Sequence, residues 1–172
     1  MNRFWATHWP SLFNGRYSRP TVYGGYSYGG RKPPMCDGKR VGYDNAHYCW
    51  SRDMISWDVA YMKDGYRVAD VWVYQVIAHE WGHAVQNRLD DSLIWRAREL
   101  QADCLAGAAL YGAARDGTLL FESGDVEELE VVFRKLGDTK PWRKPGDHGS
   151  ASERVSAFER GARGGVGGCM PD

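Results

Sequence analysis

Two histidines four residues apart, in the run His79-Glu80-Trp81-Gly82-His83, constrain this chain more than any other feature. Positions i and i+4 share one face of a helix, so both imidazoles reach a single metal ion only if this segment is helical. Glu80 lies one step round that helix. From there its carboxylate reaches a water on the metal without ligating the metal, the placement a hydrolytic base needs. A chance meeting of these residues would need no further ligand, yet Glu99 follows sixteen positions after His83 in an Ala- and Leu-rich run, 94–114, that reads as a helix. Asp103 comes one turn later. Glu99 is expected as the third metal ligand, and Asp103 as acceptor of the second ring N–H of a ligating histidine, His79, fixing its tautomer. A solvated charged face accounts for Glu99 and Asp103 separately. It does not account for two carboxylates one turn apart in so apolar a helix, because bare buried carboxylates are costly.

The wider setting of these residues resembles a family. Val76-Ile77-Ala78 precedes the motif and Ala84-Val85-Gln86-Asn87 follows it, and further on stand the block Glu99-Leu100-Gln101-Ala102-Asp103-Cys104-Leu105-Ala106-Gly107 and the helix start Gly124-Asp125-Val126-Glu127-Glu128. Then come His148-Gly149-Ser150, Glu153-Arg154-Val155, Phe158-Glu159-Arg160-Gly161 and Cys169. In this order they resemble the neutral zinc metallopeptidases found in bacteria, over residues 36–169. The resemblance implies an α+β, mainly helical, gluzincin-like fold with a small β-sheet, one catalytic zinc, and peptide-bond hydrolysis, endopeptidase rather than exopeptidase. It also implies the disulfides Cys36–Cys49 and Cys104–Cys169. The four cysteines by themselves permit three pairings, or four reduced buried thiols. Two departures from the family stand out: a shorter stretch between His83 and Glu99, where Asp90-Asp91-Ser92 trims one wall of the cleft, and no visible membrane-spanning amino-terminal region.

Length and charge narrow the remaining classes. A chain of 172 residues suits one compact domain. Lys plus Arg equal Asp plus Glu at 22 each, so no net field favours nucleic acid. No apolar run is long enough for a transmembrane helix, and residues 1–20 lack the basic-then-apolar order of a signal peptide. None of the cysteines forms a C-x-x-C pair, which argues against a separate thiolate zinc site. Disulfides favour an oxidising destination. The chain reaches one either after removal of a leader, against which Met1 argues, or inside a particle such as a virion released by lysis.

Residues 1–35 read as an arm rich in Gly, Tyr and Pro, from Trp9 through Tyr23-Gly24-Gly25-Tyr26 to Pro33-Pro34, ahead of a catalytic domain at 36–172. Its glycines discourage regular structure and its tyrosines offer stacking surface to an assembly partner. A plain coil packed on its own domain is the alternative. Ile55, Trp57 and Val59 alternate with Ser56, Asp58 and Ala60, the pattern of a strand; it is either an edge strand lining the cleft or an ordinary buried one. The metal-binding helix is expected over 69–89, where Gly82 permits close packing beside the metal. A further helix is expected from an Asp125 N-cap to Gly137, and a last one from a Ser150/Glu153 capping box to a Gly161 terminator. His148, just before that last helix, is placed to hydrogen-bond a developing oxyanion or to brace its loop. Arg154 is expected in a structural ion pair, and His8 and His47 as ordinary residues. The rivals to a peptidase are a structural component on the same scaffold and a hydrolase acting on a non-protein amide such as a cell-wall cross-link.

Overall fold

The computed structural model describes residues 1–171 as an α+β fold with far more helix than sheet. Helix α1 spans Asn2–Leu12 and strand β1 Thr21–Tyr26; the short strands β2, Met35–Cys36, and β3, Lys39–Arg40, form a hairpin. Strands β4, Ala46–Cys49, and β5, Met54–Asp58, complete a three-stranded sheet of order β1-β5-β4, with β1 parallel and β4 antiparallel to β5. The rest is helical: α2 Val59–Val68, α3 Val71–Gln86, α4 Arg98–Arg115, α5 Asp125–Leu136 and α6 Ala151–Gly164.

Three of these helices pack unusually closely, and small residues are the reason. At Gly82 of α3 a Cβ would lie 2.7 Å from the carbonyl oxygen of Ala102 on α4. At Gly161 of α6 it would collide with the carbonyl of Cys104, and at Gly107 of α4 with the carbonyl of Phe158. α4 is thus clasped between α3 and α6, and both of its flanks are buried. Ala102, Cys104, Leu105, Ala106, Ala108 and Leu110 have essentially no exposed surface. The Cys104–Cys169 disulfide pins the end of the described chain to α4, and Cys36–Cys49 ties the β2–β3 hairpin to the edge strand β4. In the chain-entropy picture the first closes the longer loop, 65 residues against 13, and contributes about 4 kcal/mol against about 3. Two disulfides suit an oxidising compartment. Among the described residues no helix is long and apolar enough to cross a membrane.

Several expectations are corrected. The first 35 residues are not an arm without regular structure. In α1, Phe4, Trp5 and Trp9 sit in one apolar cluster with Trp81, Leu105, Ala108 and Cys169, and burying three large aromatic side chains outweighs the cost of ordering the segment. Tyr23-Gly24-Gly25-Tyr26 forms part of β1, with a register shift between Val22 and Gly24. Between α1 and β1, Tyr17 accepts a hydrogen bond from the Trp81 indole at 3.0 Å, and Arg88 binds the Ser18 carbonyl at 2.8 Å.

Of the two readings of the 55–60 alternation the buried strand holds: β5 is the central strand of its sheet, and the edge positions fall to β1 and β4. The strand also stops at Asp58, whose side chain accepts from the Ala60 amide at 2.9 Å and caps α2; the alternation through Val59 and Ala60 had suggested a longer strand. Asp125 is the first residue of α5 rather than its cap, because Gly124 takes the cap position with φ 106°. Gly161 does not end α6, which continues to Gly164; its lack of a side chain serves helix contact, not termination. The Ser150/Glu153 capping box and the stop at Gly137 are as expected.

Gly161→Ala is expected to destabilise the fold by roughly 1–3 kcal/mol through overpacking. Gly164→Ala, in open space on the same helix, should leave the urea midpoint unchanged or slightly raised. Equal midpoints for the two variants would refute the close-contact role.

Candidate functional site

α3 runs through the centre of the molecule and is buried along nearly its whole length, which turns the i, i+4 histidines inward rather than to solvent. Glu99, in the first turn of α4, meets them from the facing helix. His79 Nε2 lies 3.2 Å and His83 Nε2 3.4 Å from the same Glu99 oxygen, Oε2. The three donor atoms all fall within 4.8 Å of one another. A tetrahedral zinc with bonds of about 2.0–2.1 Å holds its ligand atoms about 3.3 Å apart, so both the donor set and its spacing fit that ion. The other carboxylate group of comparable closeness, Asp70, Asp125 and Glu128, contains no histidine. Cys36 and Cys49 are bonded to each other and offer no thiolate.

Behind His79 lies a buried ion pair. His79 Nδ1 is 2.8 Å from Asp103 Oδ1, and the Arg154 guanidinium grips the same carboxylate with two bonds, 2.8 Å to Oδ2 and 2.9 Å to Oδ1. Gln75 adds a fourth donor at 3.2 Å, and Arg154 spends a further N–H on the Leu136 carbonyl. Asp103 is 0 % and Arg154 3 % exposed, so the pair is shielded from water and its charges are compensated by hydrogen bonds on every side. Burial acts to raise the Asp103 pKa, but Arg154 and His79 overcome it and hold the carboxyl below its usual value. Burial likewise acts to lower the His79 pKa, while Asp103 and Glu99 drive it up to about 10. Glu99 is held well below the ordinary carboxylate range by the two imidazoles, against its own burial. The cluster therefore favours positive charge between its carboxylates, and a metal ion supplies that charge as a proton does.

A cleft of about 160 Å³ opens beside this cluster, lined by Asp44, Asn45, Tyr61, His79, Glu80 and His148 among others. Glu80 thus faces the cleft while the two ring nitrogens face Glu99. The Tyr61 pKa is raised to about 12, by burial first and then by the charge of Glu80, so its hydroxyl keeps its proton. His148 stands at the rim, with a side chain 51 % exposed and Nε2 3.6 Å from Glu99 Oε2. Its loop is braced by the Asp138 carboxylate, which accepts from the backbone amides of His148 at 2.9 Å and Gly149 at 3.3 Å. On another side, the Trp50 ring lies 6.2 Å from the His83 ring and carries the Arg98 guanidinium 5.3 Å above it. A larger cavity, about 350 Å³, between Tyr66, Tyr74 and Phe121, shares no lining residue with the cleft.

Every site residue expected from the sequence thus lies in one neighbourhood: His79, His83 and Glu99 face one point, Glu80 and His148 line the cleft, and Asp103 backs His79. His8 and His47 lie elsewhere; His8 pairs with Asp116 at 2.7 Å. Sequence reasoning missed Gln75, Gln86, Gln101, Asn45 and Tyr61. Gln75 stands one turn before His79 and Gln86 one turn after His83, so helical spacing alone marks both as neighbours. Asn45 and Tyr61 arrive from the segment just before β4 and from α2, and no spacing announces them.

The chain matches no protein-family model, no curated protein and no solved structure. The resemblance to neutral zinc metallopeptidases therefore rests on the motif residues themselves.

Arg154→Met strands the Asp103 carboxylate in the interior and is expected to lower stability by roughly 3–5 kcal/mol. Adding Asp103→Leu to that variant should recover part of the loss, which urea denaturation of both proteins would read out. A loss below about 1 kcal/mol for the single variant would show the pair to be dispensable.

Proposed function

We propose that this chain is a zinc-dependent hydrolase that cleaves peptide bonds, with His79, His83 and Glu99 as metal ligands and Glu80 as general base. The observation that carries the reading is the convergence of two imidazole Nε2 atoms on one Glu99 oxygen, with Glu80 lining the adjoining cleft. Its context agrees with the gluzincin-like resemblance: a helix-rich α+β fold, a small sheet whose edge strand β4 packs against α3, and a second ligand-bearing helix.

Bound zinc would supply Lewis acidity, lowering the pKa of a water towards about 7 and polarising a carbonyl. The chain's own groups do the rest. Glu80 takes the proton of the attacking water and returns it to the leaving amine. Asp103, held by Arg154, keeps the His79 ring oriented through Nδ1 and makes the imidazole a stronger donor. His148, on its braced loop at the rim, donates a hydrogen bond to the charge that develops on the carbonyl oxygen. Tyr61, protonated and facing the same cleft, offers a second donor.

The first test is the metal content of wild-type protein and Glu80→Gln, paired with cleavage of a mixed peptide library before and after chelation. One zinc per chain is expected in both proteins, with cleavage that is lost on chelation, restored by zinc, and reduced about 10²–10⁴-fold in Glu80→Gln. Undiminished cleavage by Glu80→Gln would sink the assignment of the base. Zinc in both proteins and cleavage in neither would turn the reading to a scaffold component or to a non-protein amide as substrate.

A further inference from the structure

The two metal-facing histidines are held from behind in different ways. His79 leans on a charged carboxylate, whereas His83 Nδ1 lies 2.9 Å from the neutral amide oxygen of Gln86. Gln86, 2 % exposed, sends its amide nitrogen to the Arg98 carbonyl at 2.7 Å and to Gln101 Oε1 at 3.0 Å. Gln101, fully buried, accepts from the Trp95 amide at 3.1 Å and donates to the carbonyls of Leu93 at 2.7 Å and Cys169 at 3.0 Å.

Backbone groups at the far end of this chain decide its polarity. The carbonyls of Leu93 and Cys169 only accept, so the Gln101 group facing them is its NH2; the Trp95 N–H only donates, so the group facing it is Oε1. Gln101 therefore presents an acceptor to Gln86. The Arg98 carbonyl demands a donor from Gln86 as well, and its NH2 serves both. That leaves Gln86 Oε1 towards His83, whose Nδ1 must then carry the proton. With Nδ1 protonated, the lone pair of the neutral ring is on Nε2, the atom that faces Glu99.

We propose that Gln86 and Gln101 are positioning residues for the metal site, locking His83 in the tautomer and orientation that aim Nε2 at the ion, with the Cys104–Cys169 bridge as the far anchor of the chain. The bridge fixes the Cys169 carbonyl against Gln101 by tying Cys169 to α4 at Cys104, one turn beyond Gln101. Integrity of this disulfide thereby reaches the metal through three side chains, whereas the Cys36–Cys49 bridge has no member in the relay. The inference rests on the zinc reading of His79, His83 and Glu99.

The test uses the full chain in five forms: wild type, Gln86→Met, Gln101→Met, Cys169→Ser and Cys36→Ser. Zinc affinity is measured by chelator competition, the visible spectrum is recorded with Co2+ in place of zinc, and circular dichroism confirms folding. Gln86→Met is expected to weaken zinc about 10–100-fold, the range typical of lost partners behind ligating histidines, and to shift the Co2+ bands. Gln101→Met and Cys169→Ser should weaken it in the same direction, and Cys36→Ser should stay within about twofold of wild type. If Gln101→Met does not fold, Gln86→Met and the two cysteine variants decide. Folded Gln86→Met and Cys169→Ser with wild-type affinity and unchanged Co2+ spectra would overturn the positioning role while leaving the metal site standing. Failure of the wild-type chain to bind zinc would overturn both.

Discussion

The structure depends on a carboxylate that has no access to water. Asp103 is fully buried, and its charge is tolerable only because Arg154 grips it with two bonds while His79 and Gln75 supply further donors. These partners come from α3 and α6, so satisfying one side chain of α4 fixes two other helices in rotation and height. A buried pair of this kind is weak evidence of net stability, since desolvation offsets much of the attraction. Its consequence is specificity of arrangement: any packing that parts the three helices leaves a bare charge in the interior.

Such an arrangement needs backbones closer together than ordinary side chains allow. Gly82 against Ala102, Gly107 against Phe158 and Gly161 against Cys104 provide that approach, and the alanines of α4 fill what space remains. The same contacts bring the first turn of α4, with Glu99, against the middle of α3. The convergence of His79, His83 and Glu99 and the helix packing are one constraint in this molecule. The periphery then buttresses it: α1 covers α4 with Phe4, Trp5 and Trp9, and the segment after α1 is tied to α3 and its exit by hydrogen bonds from Trp81 to Tyr17 and from Arg88 to Ser18. The sheet contributes one wall, with Asp44 and Asn45 leading into β4 at the cleft.

Charge around the site is divided by depth. The deepest layer pairs Asp103 with Arg154, the middle layer joins two imidazoles to Glu99, and Glu80, Tyr61 and His148 face the cleft. His79 is backed by a carboxylate and His83 by an amide, so the two rings are held from behind by different groups although they lie on one helix face and address one point. The asymmetry follows from what stands behind each ring. Asp103 is met by the Arg154 guanidinium, while Gln86 is met by the Arg98 carbonyl and the Gln101 amide.

What could be read from the sequence is what repeats along a single helix. The i, i+4 histidines, Glu80 beside them, and Glu99 and Asp103 one turn apart define faces by the 3.6-residue period alone, and capping residues such as Ser150 and Glu153 announce a helix start locally. The disulfide pairing came from resemblance, and geometry bears it out. The glycine-rich strand β1, the central place of β5 and the continuation of α6 past Gly161 were not legible, because each is decided by a neighbour distant in sequence. A glycine looks the same in a chain whether it ends a helix or admits another backbone. Likewise Gln101 shows no period linking it to His83; three backbone groups from the 93–95 segment and the tail make it part of the site. Local spacing determined which side chains share a helix face, since helical periodicity is a property of the chain itself. Tertiary structure decided which groups orient them, because that depends on hydrogen-bond donors and acceptors brought together only when the helices close.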